Sequence, residues 1–188
     1  SADMSPDGRT VATSWTKRVR GGETRTGIVL IDTATRRRTD WLPADDTHQA
    51  SSPRFSRDGS RVAVMRSTLS SPTDTTYSRL EIHPIAAGEP VVVDLGDLTV
   101  SEYEWTADDT LLVTGDLHSS GAVLTVDGAS GAVRTVAADG VFSSLSPAAD
   151  GSVVALRSAI DSPARPVRIQ PGASLIPLSA PGGIGDLP

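Results

Sequence analysis

Met4-Ser5-Pro6-Asp7-Gly8-Arg9-Thr10-Val11-Ala12 and Phe55-Ser56-Arg57-Asp58-Gly59-Ser60-Arg61-Val62-Ala63-Val64 carry the same signal: a bulky residue, a turn, then an apolar, β-branched strand. The turn chemistry is readable. Proline presets φ for the first corner, aspartate bonds back to the backbone, and glycine takes the left-handed position that joins a type I turn to the next strand. Two further copies depart from the ideal. Trp105-Thr106-Ala107-Asp108-Asp109-Thr110-Leu111-Leu112-Val113 has Asp109 where glycine would sit, and Leu145-Ser146-Pro147-Ala148-Ala149-Asp150-Gly151-Ser152-Val153-Val154-Ala155-Leu156 has one extra residue. Aspartate tolerates positive φ better than most residues, so the first departure is a mild cost. The turn aspartates Asp7, Asp58, Asp108 and Asp150 are 51, 50 and 42 positions apart, a spacing that matches a four-stranded blade repeat of about 40–50 residues.

Each copy continues as strand, loop, strand, tight turn and closing strand. In the first unit Val11–Trp15 leads through a loop at 17–26 to Gly27-Ile28-Val29-Leu30-Ile31-Asp32, then a turn over Thr33-Ala34-Thr35 and a closing strand to Leu42. The third repeats it with Ala122–Asp127 and Val133–Ala137; the second and fourth use Leu80–His83 with Val91–Leu95, and Val167–Gln170 with Leu175–Leu178. The spacing predicts an all-β β-propeller of four four-stranded antiparallel blades at about 1–47, 48–97, 98–139 and 140–179. A Gly/Pro-rich linker at 180–188 would lead to a further domain, and the chain starts inside an innermost strand, so the blades read as part of a larger seven- or eight-bladed ring.

Composition excludes other classes. With 17 Gly and 13 Pro in 188 residues, a bundle of long helices is excluded, and 38% hydrophobic content excludes a disordered chain. The absence of cysteine removes thiolate metal sites, disulfides and a cysteine nucleophile. A net charge of -6 disfavours nucleic acid, and no apolar run approaches the ~20 residues of a membrane helix. No leader begins the sequence, which favours a cytoplasmic location over export although this stretch alone leaves it unknown.

Candidate chemistry is sparse. No Gly-x-Ser-x-Gly elbow occurs, and Ser119, Ser120 and Ser130 read as turn residues. His48, His83 and His118 fall in three units with no partner at triad or metal spacing, so no catalytic residue, cofactor or metal site is expected. Gly182-Gly183-Ile184-Gly185 is not followed by a helix and makes no phosphate cradle. The pre-turn residues Met4, Phe55, Trp105 and Leu145 should pack between blades. Asp3, Arg54 and Glu104, one position earlier, are the candidates to face a channel and pair with one another. Glu102 and Glu104 share a strand face and are weak candidates to hold a substrate amine, against the default of a solvated face. Lys17-Arg18-Val19-Arg20 and Arg36-Arg37-Arg38 read first as solubilising charge, and the stretch from Ser67 to Ser78 as a surface excursion.

Ser5-Pro6-Asp7-Gly8-Arg9-Thr10-Val11-Ala12, echoed at Ser56–Ala63, resembles the propeller repeats of the TolB type and of the prolyl oligopeptidase family. The stretch Ser158-Ala159-Ile160-Asp161-Ser162-Pro163-Ala164-Arg165-Pro166-Val167-Arg168-Ile169 looks like the last blade of acylaminoacyl- or dipeptidyl-peptidase propellers. That resemblance implies a non-catalytic domain that gates access of short peptide substrates to an α/β-hydrolase domain of the same parent chain. The Ser-Asp-His triad would lie in that domain, and none of its positions exists in this sequence. The alternative is a TolB-like protein-interaction propeller with no hydrolase attached, and a third reading is a self-contained four-bladed ring. No nucleic acid, membrane or cofactor is expected as a partner; oligomerisation stays open.

Overall fold

The computed structural model describes residues 1–179 except 71–74, 107, 119, 139, 149, 151 and 171–173. The expected linker at 180–188 lies outside the described residues. Among the described residues sixteen strands form four sheets, each antiparallel and four-stranded. The first comprises β1 (Ala2–Met4), β2 (Thr10–Arg18), β3 (Thr24–Asp32) and β4 (Arg38–Leu42). The second comprises β5 (His48–Phe55), β6 (Arg61–Thr68), β7 (Ser78–Pro84) and β8 (Val91–Val93). The third is β9 (Thr99–Trp105), β10 (Thr110–Leu117), β11 (Ser120–Asp127) and β12 (Val133–Ala138). The fourth is β13 (Val141–Pro147), β14 (Val153–Ala159), β15 (Ser162–Gln170) and β16 (Ser174–Pro177). Within every sheet the strands neighbour one another in chain order. The first two sheets make one compact unit and the last two a second.

The turns close as their composition dictates, with one addition. In the first, Ser5 N donates to Thr10 O, Gly8 N donates to Ser5 O, and Gly8 sits at φ 71°. Asp7 Oδ1 accepts from Arg9 N at 3.0 Å. The addition is the Ser5 hydroxyl, which donates to Asp7 Oδ1 at 2.7 Å and accepts from Thr10 N at 2.9 Å. Ser56 repeats both bonds with Asp58 and Arg61 at 2.6 and 3.0 Å, and Gly59 sits at φ 73°. In the third turn Thr106 takes the serine's place, donating to Asp108 at 2.6 Å, and Asp109 adopts φ 57° as expected. That turn is one residue tighter, closing from Thr106 N to Thr110 O. The expected extra residue of the fourth turn falls partly outside the described residues; Asp150 accepts from both the N–H and the hydroxyl of Ser152.

In the first unit the second sheet packs Phe55, Val62 and Val64 on Ala12 and Ile28 of the first, with Leu30, Trp41 and Leu42 at the margin. In the second unit Leu145, Val153 and Ala155 meet Leu112 and Val123 across the same kind of seam. Phe55, Trp105 and Leu145 are buried as expected. Met4 is not: it is 58% exposed. It occupies the position of Phe55, but within the first unit no sheet covers that side of β1–β4. The loop expected at 17–26 is also shorter, since β2 and β3 pair as far as Arg18↔Thr24 and leave only a five-residue tip. Alternating threonines such as Thr16 and Thr26, bonded to each other at 2.9 Å, prolong the ladder past the apolar stretch.

Two measurements test this packing. Phe55→Ala should lower unfolding free energy by about 3–5 kcal/mol, the usual cost of emptying an aromatic site, while Met4→Ala should fall within ~0.5 kcal/mol of wild type in the same urea titration. Ser56→Ala, which removes a hydroxyl that is 0% exposed, should cost about 1–2 kcal/mol. The Ser56 hydroxyl, then the Ser60 N–H and hydroxyl, outweigh burial and hold Asp58 from 3.8 down to about 2. Because the folded value is depressed, this contribution is full above pH 3.8 and vanishes as pH falls through about 2. The difference between wild type and Ser56→Ala should shrink across that window.

Candidate functional site

The β2–β3 tip and the segment from β4 to β5 lie at one end of the first unit, and they line a cavity of about 380 Å³. Glycine makes the close approach possible. A Cβ on Gly27 would stand 2.7 Å from Leu42 O and 2.8 Å from Ala44 N, so only glycine lets the chain leaving β4 cross directly over β3. The β3–β4 register shifts by one residue at this crossing, between Ile28 and Val29. Trp15, 40% exposed, forms part of the wall. The Arg38 guanidinium lies 4.8 Å from the Trp15 ring centroid, a cation–π contact that fixes the indole. A second cavity of about 600 Å³ shares Glu23, Arg25 and Asp46 with the first and reaches Thr68 and Tyr77.

Most charges along these walls are neutralised locally. Lys17 Nζ bonds Asp40 Oδ2 at 2.7 Å and Arg25 bonds Glu23 Oε2 at 2.7 Å. Asp45 caps its own loop: Oδ1 accepts from the Thr47 hydroxyl, Thr47 N and His48 N, while Oδ2 accepts from Arg66 at 3.0 Å. Those bonds, the Thr47 hydroxyl first, outweigh burial and hold the Asp45 carboxyl well below the usual carboxylate range. The basic stretch Lys17–Arg20 is therefore divided: Lys17 and Arg18 belong to β2, and Arg20 stands on the tip.

A second polar group, which sequence reasoning did not find, sits on the face of β7 that meets the first sheet. Glu81 is only 4% exposed. Its Oε1 accepts from Arg79 Nε at 2.7 Å and its Oε2 contacts His83 Nε2 at 2.8 Å, while Trp41 meets the His83 ring edge-on at 5.7 Å. Burial pushes the Glu81 carboxyl up, but the bonds from His83 and Arg79 together prevail and leave it below its ordinary 4.5. His83, near the end of β7, is thus a half-buried partner of Glu81. The run Leu80-Glu81-Ile82 gave no warning, because an acid between two aliphatics in a strand reads as solvent-facing. His48 stands beside Asp45 and His118 beside Asp97, and among the described residues no acid and histidine group is built to hold a metal.

The residues singled out from the sequence are placed as follows. Asp3 Oδ2 accepts from Phe55 N at 2.7 Å, bonding innermost strand β1 to β5 of the next sheet. Arg54 is half-buried and donates to Pro53 O at 3.0 Å. Glu102 and Glu104 are half-buried on one face of β9, opposite Thr114 and Leu112 of β10. Glu102 Oε2 accepts from Leu145 N at 3.4 Å, so this carboxylate plays the part in the second unit that Asp3 plays in the first. Both recipient strands carry a register shift and a positive-φ serine beside the contact, Ser52 at φ 55° and Ser144 at φ 58°. Among the described residues no helix is long and apolar enough to cross a membrane.

No family model and no curated protein matches the chain. Its fold is similar to that of TolB from Acinetobacter baumannii, with TM-score 0.66 and 16% identity over 95% of this chain and 43% of that one. A puromycin-hydrolysing peptidase of Mycobacterium tuberculosis gives TM-score 0.70 and 18% identity over 96% of this chain and 31% of that one. The β-propeller domain of the Trilobed protease from Pyrococcus furiosus gives 0.66 and 16%, over 96% and 56%. The chain spans less than two thirds of each of these structures. At such identities the likeness establishes the fold: the four sheets are blades of a β-propeller of the kind found in TolB and in peptidases.

The Glu81 pair makes a checkable prediction. Glu81→Gln should lower stability by about 1–3 kcal/mol at pH 7, because the partly exposed Arg79 guanidinium loses its counter-charge and the buried contact to His83 loses an ionised partner. The folded value lies below 4.5, so the wild-type advantage is complete above that pH and fades below it. Urea titrations of both proteins at pH 7 and pH 3.5 measure the difference.

Proposed function

We propose that this chain is the non-catalytic, substrate-gating part of a serine peptidase acting on short peptides, with its α/β-hydrolase domain on the same parent chain. The observation that carries the proposal is the shared blade architecture with propellers of peptidases, of which the chain covers only 31% in the puromycin-hydrolysing enzyme. In this reading the four blades, with limits near residues 47, 97 and 139, are part of a seven- or eight-bladed ring. Asp3, Arg54 and Glu104 stand toward its channel. The site chemistry supports recognition over bond-making: the carboxylates of Asp40, Asp45 and Glu81 are each held by a cation or backbone N–H in the ground state. A gate works by exclusion, admitting chains thin and short enough to pass and so screening the hydrolase from folded protein.

The second reading is a docking platform without a hydrolase, favoured by the equal fold likeness to TolB. The coding sequence on either side of these residues separates the two. A Gly-x-Ser-x-Gly followed by Asp and His supports the peptidase, and its absence supports the platform. The purified chain should hydrolyse no peptide or peptide ester; turnover that survives purification and is lost on changing one residue of this chain would overturn the non-catalytic assignment. In the parent enzyme kcat/KM should fall steeply as peptides lengthen, and a hydrolase lacking the propeller should lose that dependence.

A further inference from the structure

The 380 Å³ cavity beside the β2–β3 tip has one cation and one anion left over. Lys17 is engaged by Asp40, Arg25 by Glu23 and Asp45 by Arg66. Arg20 and Asp46 line the same cavity, both are exposed, and neither has a hydrogen-bond or ion-pair partner among the described residues. The same cavity has apolar walls: the Trp15 indole, held from one side by Arg38, and Pro43, close over the backbone of Gly27. The volume is at the lower end of the range of about 300–1,000 Å³ for small-ligand sites.

We propose that this cavity binds a small zwitterion, an ammonium group against Asp46 and a carboxylate against Arg20, of the size of a free di- or tripeptide. An anion or a cation alone would satisfy one of the two side chains and leave the other without a counter-charge. A neutral ligand would displace water from both and return nothing. A molecule with opposite charges at its two ends satisfies both, and its middle portion covers Trp15 and Pro43. The choice of peptides among zwitterions rests on the peptidase reading; the charge balance does not. Peptide termini fit that reading either as product held after cleavage or as short substrate held before entry. The site is separate from Glu102 and Glu104, whose strand lies in the other unit.

The test is calorimetric titration of the full chain with trialanine, N-acetyl-trialanine and trialanine amide, repeated on Asp46→Asn and Arg20→Gln. Both side chains are exposed, so both variants fold, and circular dichroism verifies it. Wild type should bind trialanine at least about tenfold more tightly than either blocked peptide, the factor expected for one lost charge-assisted contact. Asp46→Asn should lose the discrimination against the acetylated peptide and keep that against the amide. Arg20→Gln should do the reverse. Equal binding of the three peptides, no binding of any at millimolar concentration, or unchanged selectivity in both variants overturns the proposal. Because the readout is binding to this chain, and the peptidase reading is decided by the parent's coding sequence and turnover, either can fail without the other.

Discussion

A hydroxyl that donates to a carboxylate two residues along holds three of the four repeated turns, and the rest of the architecture follows from it. Ser5 with Asp7, Ser56 with Asp58 and Thr106 with Asp108 each fix where the first hairpin of a blade closes. Strand side chains alternate with period two, so a slip of one residue at this turn would send Val62 and Val64 to the wrong face. With the turn fixed, Phe55 and its aliphatic neighbours meet Ala12 and Ile28, and the first unit gains its core. The bond is local and needs no help from other blades.

What was legible in the sequence was whatever is encoded within about ten residues. The turns, the alternation and the four-strand rhythm all have that range, and Asp109 was readable as a positive-φ residue because its neighbours matched the other copies. The reach of Asp3 to Phe55 N, 52 residues away, was not, because it depends on how one sheet lies on the next. Met4 shows the opposite error. By pattern it equals Phe55, and pattern holds no information on whether a neighbouring sheet is present to cover it. The strand extension through Thr16 and Thr26 was missed because polar β-branched residues resemble loop composition until they are paired.

The candidate site divides along the same line. Arg20 and Asp46 line one cavity because Gly27 lets the chain after β4 cross close over β3, a steric fact invisible in a list of charges. Glu81 is the harder case. An acid buried among aliphatic strands is tolerable only when polar partners meet both oxygens, and Arg79 and His83 do so from alternate positions of the same strand. The motif Arg-x-Glu-x-His on one strand face is thus self-sufficient in charge. With hindsight that spacing was the signal, since residues two apart share a side of the sheet.

Strand β1 pairs with β2 through Ala2, Asp3 and Met4, and Ser1 O prolongs the ladder by accepting from Ser14 N. Its attachment is completed from outside its own sheet, through the Asp3 carboxylate on Phe55 N and the Ser1 hydroxyl on Ser52 N. Moving β1 would therefore uncap the Phe55 amide of the neighbouring blade, while Ser52 N keeps a partner in Ser14 Oγ of β2. One carboxylate thus ties the innermost strand of one repeat to the backbone of the next.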